Sequence, residues 1–178
     1  MIDLPDPMAF YKIVWEIVRQ IPEGTAATYG QIASMIPAPE GIDPVDYDKL
    51  GPRWVGDAMN AVSRVDEPTI PWHRVINAKG GISLPDDSKS AALQRARLRA
   101  EHILPDDQER VDLGQFGWEG PSQAWLDAHG LYAPRPLKKA RQANSKQSNA
   151  AQPNSTLPND QPGNDKHSDD PPQQMRLF

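Results

Sequence analysis

The chain has 178 residues, with 19 Lys plus Arg against 24 Asp plus Glu, a formal net charge of -5, and no cysteine. The missing thiol excludes disulfides, thiolate metal sites, iron–sulfur clusters and any cysteine nucleophile. No apolar run approaches the ~18 residues a membrane span requires, and Met1-Ile2-Asp3-Leu4-Pro5-Asp6 is an acidic start, so a soluble, cytoplasmic protein is expected.

Asp6-Pro7 supplies an N-cap and a first-turn proline. Phe10, Ile13, Val14, Ile17, Val18 and Ile21 follow at helical spacing, which predicts a helix over 7–20 closed by Pro22-Glu23-Gly24. Thr28 and Gln31 have the spacing of a capping box and open a short helix through Ile32, Ala33 and Met35. Pro37 to Gly51 reads as an acidic loop carrying Glu40, Asp43, Asp46 and Asp48, after which Pro52 opens a helix through Val55, Ala58, Met59 and Val62. Val75-Ile76-Asn77, a Lys79-Gly80-Gly81 turn and Ile82-Ser83-Leu84 predict a hairpin. Ser88 to His102 is expected to be a basic helix with Leu93, Ala96 and Ala100 facing inward. Val111 to Trp118 reads as a strand or extended closing segment, and Pro121 to His129 as a last short helix ended by Gly130. Trp15, Trp118 and Trp125 are assigned to the core. The sum is a small α+β domain over residues 1–133.

Composition changes near Tyr132. Residues 134–178 contain seven prolines, no Trp, no Tyr and one Phe, and Asn recurs at 144, 149, 154, 159 and 164. That stretch offers too little apolar surface to offset the entropy of ordering, so a flexible polar tail is expected. It holds seven basic and four acidic residues, leaving the first 133 residues with 12 basic and 20 acidic ones, a net -8.

The stretch with chemical content is Pro71-Trp72-His73-Arg74-Val75-Ile76-Asn77. On pattern alone, a buried Trp and a core His satisfy it. It follows Ile21-Pro22-Glu23-Gly24-Thr25-Ala26-Ala27-Thr28-Tyr29-Gly30-Gln31-Ile32-Ala33 and Arg53-Trp54-Val55-Gly56-Asp57-Ala58-Met59. These three segments, in this order, resemble the C-terminal DNA-binding domain of the O6-alkylguanine-DNA alkyltransferases. That family carries Pro-Cys-His-Arg-Val behind an Ile-Pro-x-Gly…Thr-Tyr-Gly-x-Ile-Ala helix and an Arg-x-Val-Gly-x-Ala-Met recognition helix. Trp72 at the cysteine position is similar to the non-catalytic branch, the alkyltransferase-like proteins, and the likeness spans roughly residues 8–118.

The resemblance implies a winged helix-turn-helix with a β-hairpin wing, and a protein that binds DNA without being an enzyme. Direct dealkylation needs a thiolate acceptor, and no cysteine stands at residue 72 or anywhere else. What the resemblance leaves is a DNA damage sensor that flips O6-alkylguanine out of duplex DNA and directs it to nucleotide excision repair. By the same carry-over, Arg53 enters the vacated stack and Tyr29 presses the backbone. Trp54, Gly56 and Asn60 belong to the DNA-contacting helix, with Gly56 permitting close approach. Trp72, His73, Tyr29, Ile82 and Ser83 form the alkylguanine pocket, and Glu101 stands where the family orients its histidine. His73 and Glu101 are equally satisfied as a structural pair. Arg95, Arg97 and Arg99 read as a solvated face. No cofactor, no metal and a monomer are expected.

The chain departs from the family pattern in four places. The 37–51 linker looks like an acidic insertion, far longer than the usual turn of about three or four residues. Trp54 and Asp57 are unusual on the recognition helix, Asn60 replaces a frequent base, and Leu84-Pro85-Asp86-Asp87 is acidic. Because phosphate neutralisation supplies much of DNA affinity, weaker binding with little non-specific background is expected. The final Gln174-Met175-Arg176-Leu177-Phe178 resembles the Gln-x-x-Leu-Phe peptide that docks bacterial repair proteins on the sliding clamp, with Gln174, Leu177 and Phe178 as its anchors. The competing readings are a winged-helix DNA- or protein-binding adaptor with a vestigial pocket, and a glycosylase-type enzyme in which His73 or a carboxylate activates water.

Overall fold

The computed structural model describes residues 2–137. The domain is mainly helical with a small sheet. The terminal peptide Gln174, Leu177 and Phe178, and the tail from residue 138 onward, lie outside the described residues.

Helix α1 spans Pro7–Arg19, and the Asp6 carboxylate accepts from the Ala9 amide at 2.9 Å, as the Asp-Pro pair predicts. Phe10, Val14, Ile17 and Val18 are buried along one stripe. Ile13 falls off it and is 39% exposed. Each buried aliphatic side chain contributes ~1.5–3 kcal/mol, so this stripe is what fixes α1. Strand β1 (Ala27–Thr28) follows, then α2 (Tyr29–Met35), with the Thr28 hydroxyl accepting from the Gln31 amide at 3.1 Å. Only half of the expected capping box forms. The Gln31 side chain donates to the Trp118 carbonyl at 2.6 Å instead of turning back.

The largest difference from the sequence reading concerns the acidic loop. Helix α3 spans Pro44–Asn60 and carries Pro52 inside it, so the linker after α2 is residues 36–43 rather than 37–51. Asp43 caps α3 by accepting from the Val45 amide at 2.8 Å, with Pro44 in the first turn. This is the same Asp-Pro device that starts α1. Pro52 removes the hydrogen bond to the Asp48 carbonyl, and packing against α2 holds the helix together across that gap. The Tyr47 hydroxyl donates to the Ala33 carbonyl at 3.0 Å. Gly51 permits the close crossing, since a β-carbon there would stand 3.1 Å from that of Ala33. Phe10, Tyr47 and Trp54 form an aromatic cluster with ring centroids 6.0–6.3 Å apart.

The hairpin expected over 75–84 takes a different form. Strand β2 (Val75–Ile76) pairs in parallel with β1, Ala27 opposite Val75 and Thr28 opposite Ile76. The turn itself closes, with the Asn77 amide donating to the Gly81 carbonyl at 2.9 Å, but residues 82–84 form no strand. Gly80 explains the diversion. At φ +85° its would-be β-carbon meets the Val111 carbonyl oxygen at 2.2 Å, and the Val111 amide donates to Gly80, so the turn is clamped by the segment after α4.

Helix α4 (Lys89–Ala100) is capped by Ser88, but its inward face is Ala91, Gln94 and Leu98. Leu93 is 42% exposed, and Ala96 and Ala100 are exposed too. A buried glutamine inverts the expected face, because the Gln94 amide donates to the carbonyls of His73 and Val75. Residues 111–118 hold a short helix, α5 (Leu113–Phe116), followed by a bridge between Gly117 and Ala26, in which the Ala26 amide donates to the Phe116 carbonyl and the Trp118 amide donates to the Ala26 carbonyl, both at 2.8 Å. Helix α6 is Gln123–Ala128. Past it the chain stays on the globule. The Tyr132 amide donates to Met35, the Arg135 amide donates to the Ser34 hydroxyl, and the Arg135 guanidinium meets Asp48. Among the described residues no helix is long and apolar enough to cross a membrane.

Candidate functional site

Residues 72–74 make a single 3-10 turn between Pro71 and β2. Three residues per turn send three successive side chains in three directions. Trp72 is left half-buried on the surface side, His73 is buried, and Arg74 turns to Glu101.

Trp72 forms part of the wall of an open concavity of about 440 Å³, within the range of ligand pockets. Tyr29, at the start of α2, lines the same concavity, with Met59, Asn60 and Val62 from the end of α3 and Leu93 from α4. Burial pushes the Tyr29 phenol above its ordinary value, while the nearby Ser83 hydroxyl pulls the other way. The ring is therefore a neutral donor at physiological pH. Gly56 faces it, and a β-carbon there would reach Tyr29 Cε1 at 4.0 Å.

The indole is held from two sides. Its Nε1 donates to Glu67 Oε1 at 3.3 Å, and Arg97 Nη2 donates to the same oxygen at 2.7 Å. The Arg97 guanidinium carbon lies 5.5 Å from the indole ring centre, over its face. The indole hydrogen bond, then Arg97, hold the Glu67 carboxyl below its usual range against the opposing effect of burial.

Behind the indole lies an ion-pair network. Glu101 accepts from Arg74 Nε at 2.9 Å and Nη2 at 2.7 Å, and from the Gly24 amide at 3.2 Å, while His73 Nε2 stands 2.7 Å from Oε1. Arg74 also donates to the Ile21 carbonyl at 2.7 Å. Burial alone would raise the Glu101 pKa, but Arg74, His73 and Gly24 together pull it down to about 2. Burial lowers the His73 pKa, and the positive charges of Arg74 and Arg97 add to that against the pull of Glu101. An ionised carboxylate only accepts, so the neutral imidazole carries its proton on Nε2. Nδ1 is then a buried acceptor with no partner among the described residues.

The structure therefore brings Tyr29, Asn60 and Trp72 together, and it corrects three other assignments. Trp54 is 7% exposed and packs against Phe10 and Tyr47, so it belongs to the core and offers DNA little surface. His73 does not line the concavity; it sits behind the indole, bonded to Glu101. Ile82 packs on the smaller apolar cluster of Ile76, Leu98 and Ile103, and neither it nor Ser83 lines the concavity, although Ser83 stands near Tyr29. Arg53 lies exposed on α3, outside the concavity, with no ion pair among the described residues. Arg97 leaves the expected solvated face for Glu67 and Trp72, whereas Arg95 and Arg99 pair at the surface with Asp86 and Glu109. Sequence reading missed Glu67, since a Glu-Pro in an irregular segment carries no pattern. Among the described residues no three His, Asp or Glu side chains converge as a metal-holding group.

Residues 9–103 match the DNA-binding domain of 6-O-methylguanine DNA methyltransferase. The DNA base-flipping protein of Escherichia coli (strain K12) is 34% identical over 112 residues, 62% of this chain and 74% of that relative. Alkyltransferase-like protein 1 of Schizosaccharomyces pombe is 34% identical over 116 residues, 65% of this chain and 94% of the relative. A crystal structure of S. pombe Atl1 in complex with damaged DNA containing O6-carboxymethylguanine aligns at a TM-score of 0.47 and 32% identity, covering 62% of this chain and 95% of that one.

Proposed function

This chain belongs to the family defined by the 6-O-methylguanine DNA methyltransferase DNA-binding domain, and on that premise we propose that it binds O6-alkylguanine in duplex DNA and flips it without removing the alkyl group. The observation that carries this reading is an indole at residue 72, lining an open concavity shared with Tyr29, in a chain without cysteine. Transfer would need a sulfur to form a bond to the alkyl carbon as the guanine oxygen leaves. Nothing here supplies one, so the complex is reversible and the base keeps its substituent.

The energetics favour damaged over intact sites. Extruding a paired base costs a few kcal/mol, least for one that already pairs poorly. Stacking on Trp72 returns about 1–3 kcal/mol, enough to offset the reduced cost at a lesion but not the full cost at an intact pair. Tyr29 presses the backbone at the turned-out nucleotide, and Arg53, exposed on α3 with no ion pair among the described residues, fills the vacated stack. Carboxylates including Asp46 and Asp57 share α3 with it and weaken attraction to phosphate everywhere. Selectivity then comes from the pocket and affinity from elsewhere, including the basic residues Lys138, Lys139 and Arg141.

In this reading the bound protein stays on the nucleoid and hands the lesion to nucleotide excision repair, with Gln174, Leu177 and Phe178 docking on the sliding clamp. Anisotropy with otherwise identical duplexes containing guanine or O6-methylguanine tests the core claim, followed by mass analysis of protein and DNA. Preference for the lesion with both masses unchanged supports it. An altered base would mean an enzyme, and equal binding would mean an adaptor with an idle pocket. Deleting Leu177 and Phe178 should abolish clamp pull-down and leave lesion binding intact.

A further inference from the structure

We infer that Glu67, clamped by Arg97, is the positioning residue that fixes Trp72 as the pocket wall and neutralises the Arg97 guanidinium that covers it, so that the indole reads a base by stacking. The inference rests on the base-flipping reading and names what sets its selectivity. A tryptophan on a 3-10 turn beside an open concavity would otherwise have rotamers to choose from. Here the indole N–H is engaged by Glu67 Oε1 at 3.3 Å, the guanidinium of Arg97 covers the ring at 5.5 Å, and the same Glu67 oxygen holds Arg97 at 2.7 Å. One carboxylate thus fixes both the indole and the cation that covers it. The three groups close a triangle across residues 67, 72 and 97, which come from a loop, the turn and α4.

Two consequences follow from the chemistry. With its only donor occupied, the indole presents to an entering base its ring and no hydrogen bond. With Glu67 and Arg97 paired, that guanidinium adds no uncompensated charge beside the indole, and Arg64 is the cation that lines the concavity. Removing the carboxylate changes both at once: the ring is released, and an unbalanced guanidinium is left at the wall.

The test is a double-mutant cycle read as lesion preference, using anisotropy on duplexes containing guanine, O6-methylguanine or O6-carboxymethylguanine. Glu67→Ala should lower the O6-methylguanine-over-guanine preference by about tenfold in the parent protein and by less than about twofold in Trp72→Phe, where no indole N–H exists to be held. The same substitution should raise binding of O6-carboxymethylguanine relative to O6-methylguanine at low salt, an increase that disappears as salt is added. Glu67→Gln keeps an acceptor oxygen and should retain the O6-methylguanine preference while showing the shift towards the carboxymethyl adduct, and it stands in if Glu67→Ala fails to fold. An equal loss in the Trp72→Phe background, or no change in either preference, overturns the inference. Equal binding of guanine and O6-methylguanine by the unmodified protein overturns instead the base-flipping reading on which it rests.

Discussion

Replacing Glu101 by glutamine tests whether the network behind the indole is held by one ionised carboxylate. The side chain is only 12% exposed and accepts from Arg74, His73 and the Gly24 amide. Its pKa falls from an ordinary 4.5 to about 2. At ~1.36 kcal/mol per pKa unit that difference corresponds to about 3 kcal/mol of folding free energy at neutral pH. The same size is expected for removing one partner of a buried ion pair, ~3–5 kcal/mol. The sign is fixed: a depressed carboxylate stabilises above its unfolded value of 4.5 and loses that contribution as pH falls towards 2. By pH 3 only about 1 kcal/mol should remain. His73 acts in the same direction at higher pH, since burial lowers its pKa and the unfolded chain takes up the proton first below 6.5. Urea unfolding of the parent protein and Glu101→Gln at pH 7, 5, 4 and 3 measures the gap directly. It should be about 3 kcal/mol at pH 7 and narrow steadily below pH 5. A gap under ~1 kcal/mol at pH 7, or one independent of pH, would refute the reasoning, because an exposed and solvated pair gives that result.

Four further outcomes are expected. Arg53→Ala should change stability by less than ~0.5 kcal/mol while costing ~5–10-fold in lesion preference, the worth of one lost stacking contact, as compared by melting and anisotropy. Gly56→Ala should stabilise α3 by ~0.5–1 kcal/mol, since its β-carbon meets only Tyr29 at 4.0 Å, yet weaken DNA binding if this face approaches the duplex. Gly80→Ala should cost at least ~2 kcal/mol, because the new methyl would stand 2.2 Å from the Val111 oxygen at φ +85°. Trp54→Ala should cost ~3–5 kcal/mol in chemical denaturation, as a core residue does and a DNA-contacting surface residue does not.

Local chemistry written into short spans was legible in the sequence. The Asp6-Pro7 cap, the Thr28 cap and the 10-14-17-18 stripe of α1 all act within a turn or two. Asp43-Pro44 carried the same cap, but Pro52 obscured it, since a proline is as good a helix start as it is a poor interior residue. Only the crossing of α2 on α3 decides between the two, and that contact is tertiary. The inward face of α4 lies two positions from the one the apolar pattern predicts because Gln94 is polar, and its burial depends on two carbonyls about twenty residues away. Tyr29 and Trp72 were found through motifs. Glu67 and Arg97 were not, because their significance lies in a triangle that no spacing encodes.

The turn at 72–74 explains how one residue can change character while its neighbours cannot. His73 and Arg74 both bond to Glu101, which also holds Gly24, and Arg74 reaches on to the Ile21 carbonyl. Those bonds join the end of α1, the β2 turn and the end of α4, so either side chain is tied to the fold itself. Trp72 lines the open concavity, and among the described residues its side-chain polar contacts are with Glu67 and Arg97 at the concavity's edge. Its size and chemistry can therefore vary without breaking the network that supports it. A substitution at residue 72 should accordingly leave melting nearly unchanged, within ~1 kcal/mol for Trp72→Phe, while moving lesion preference. A Trp72→Phe protein that melts as far below the parent as Glu101→Gln does would show that the indole is part of the scaffold, and that the separation of support from reading surface is wrong.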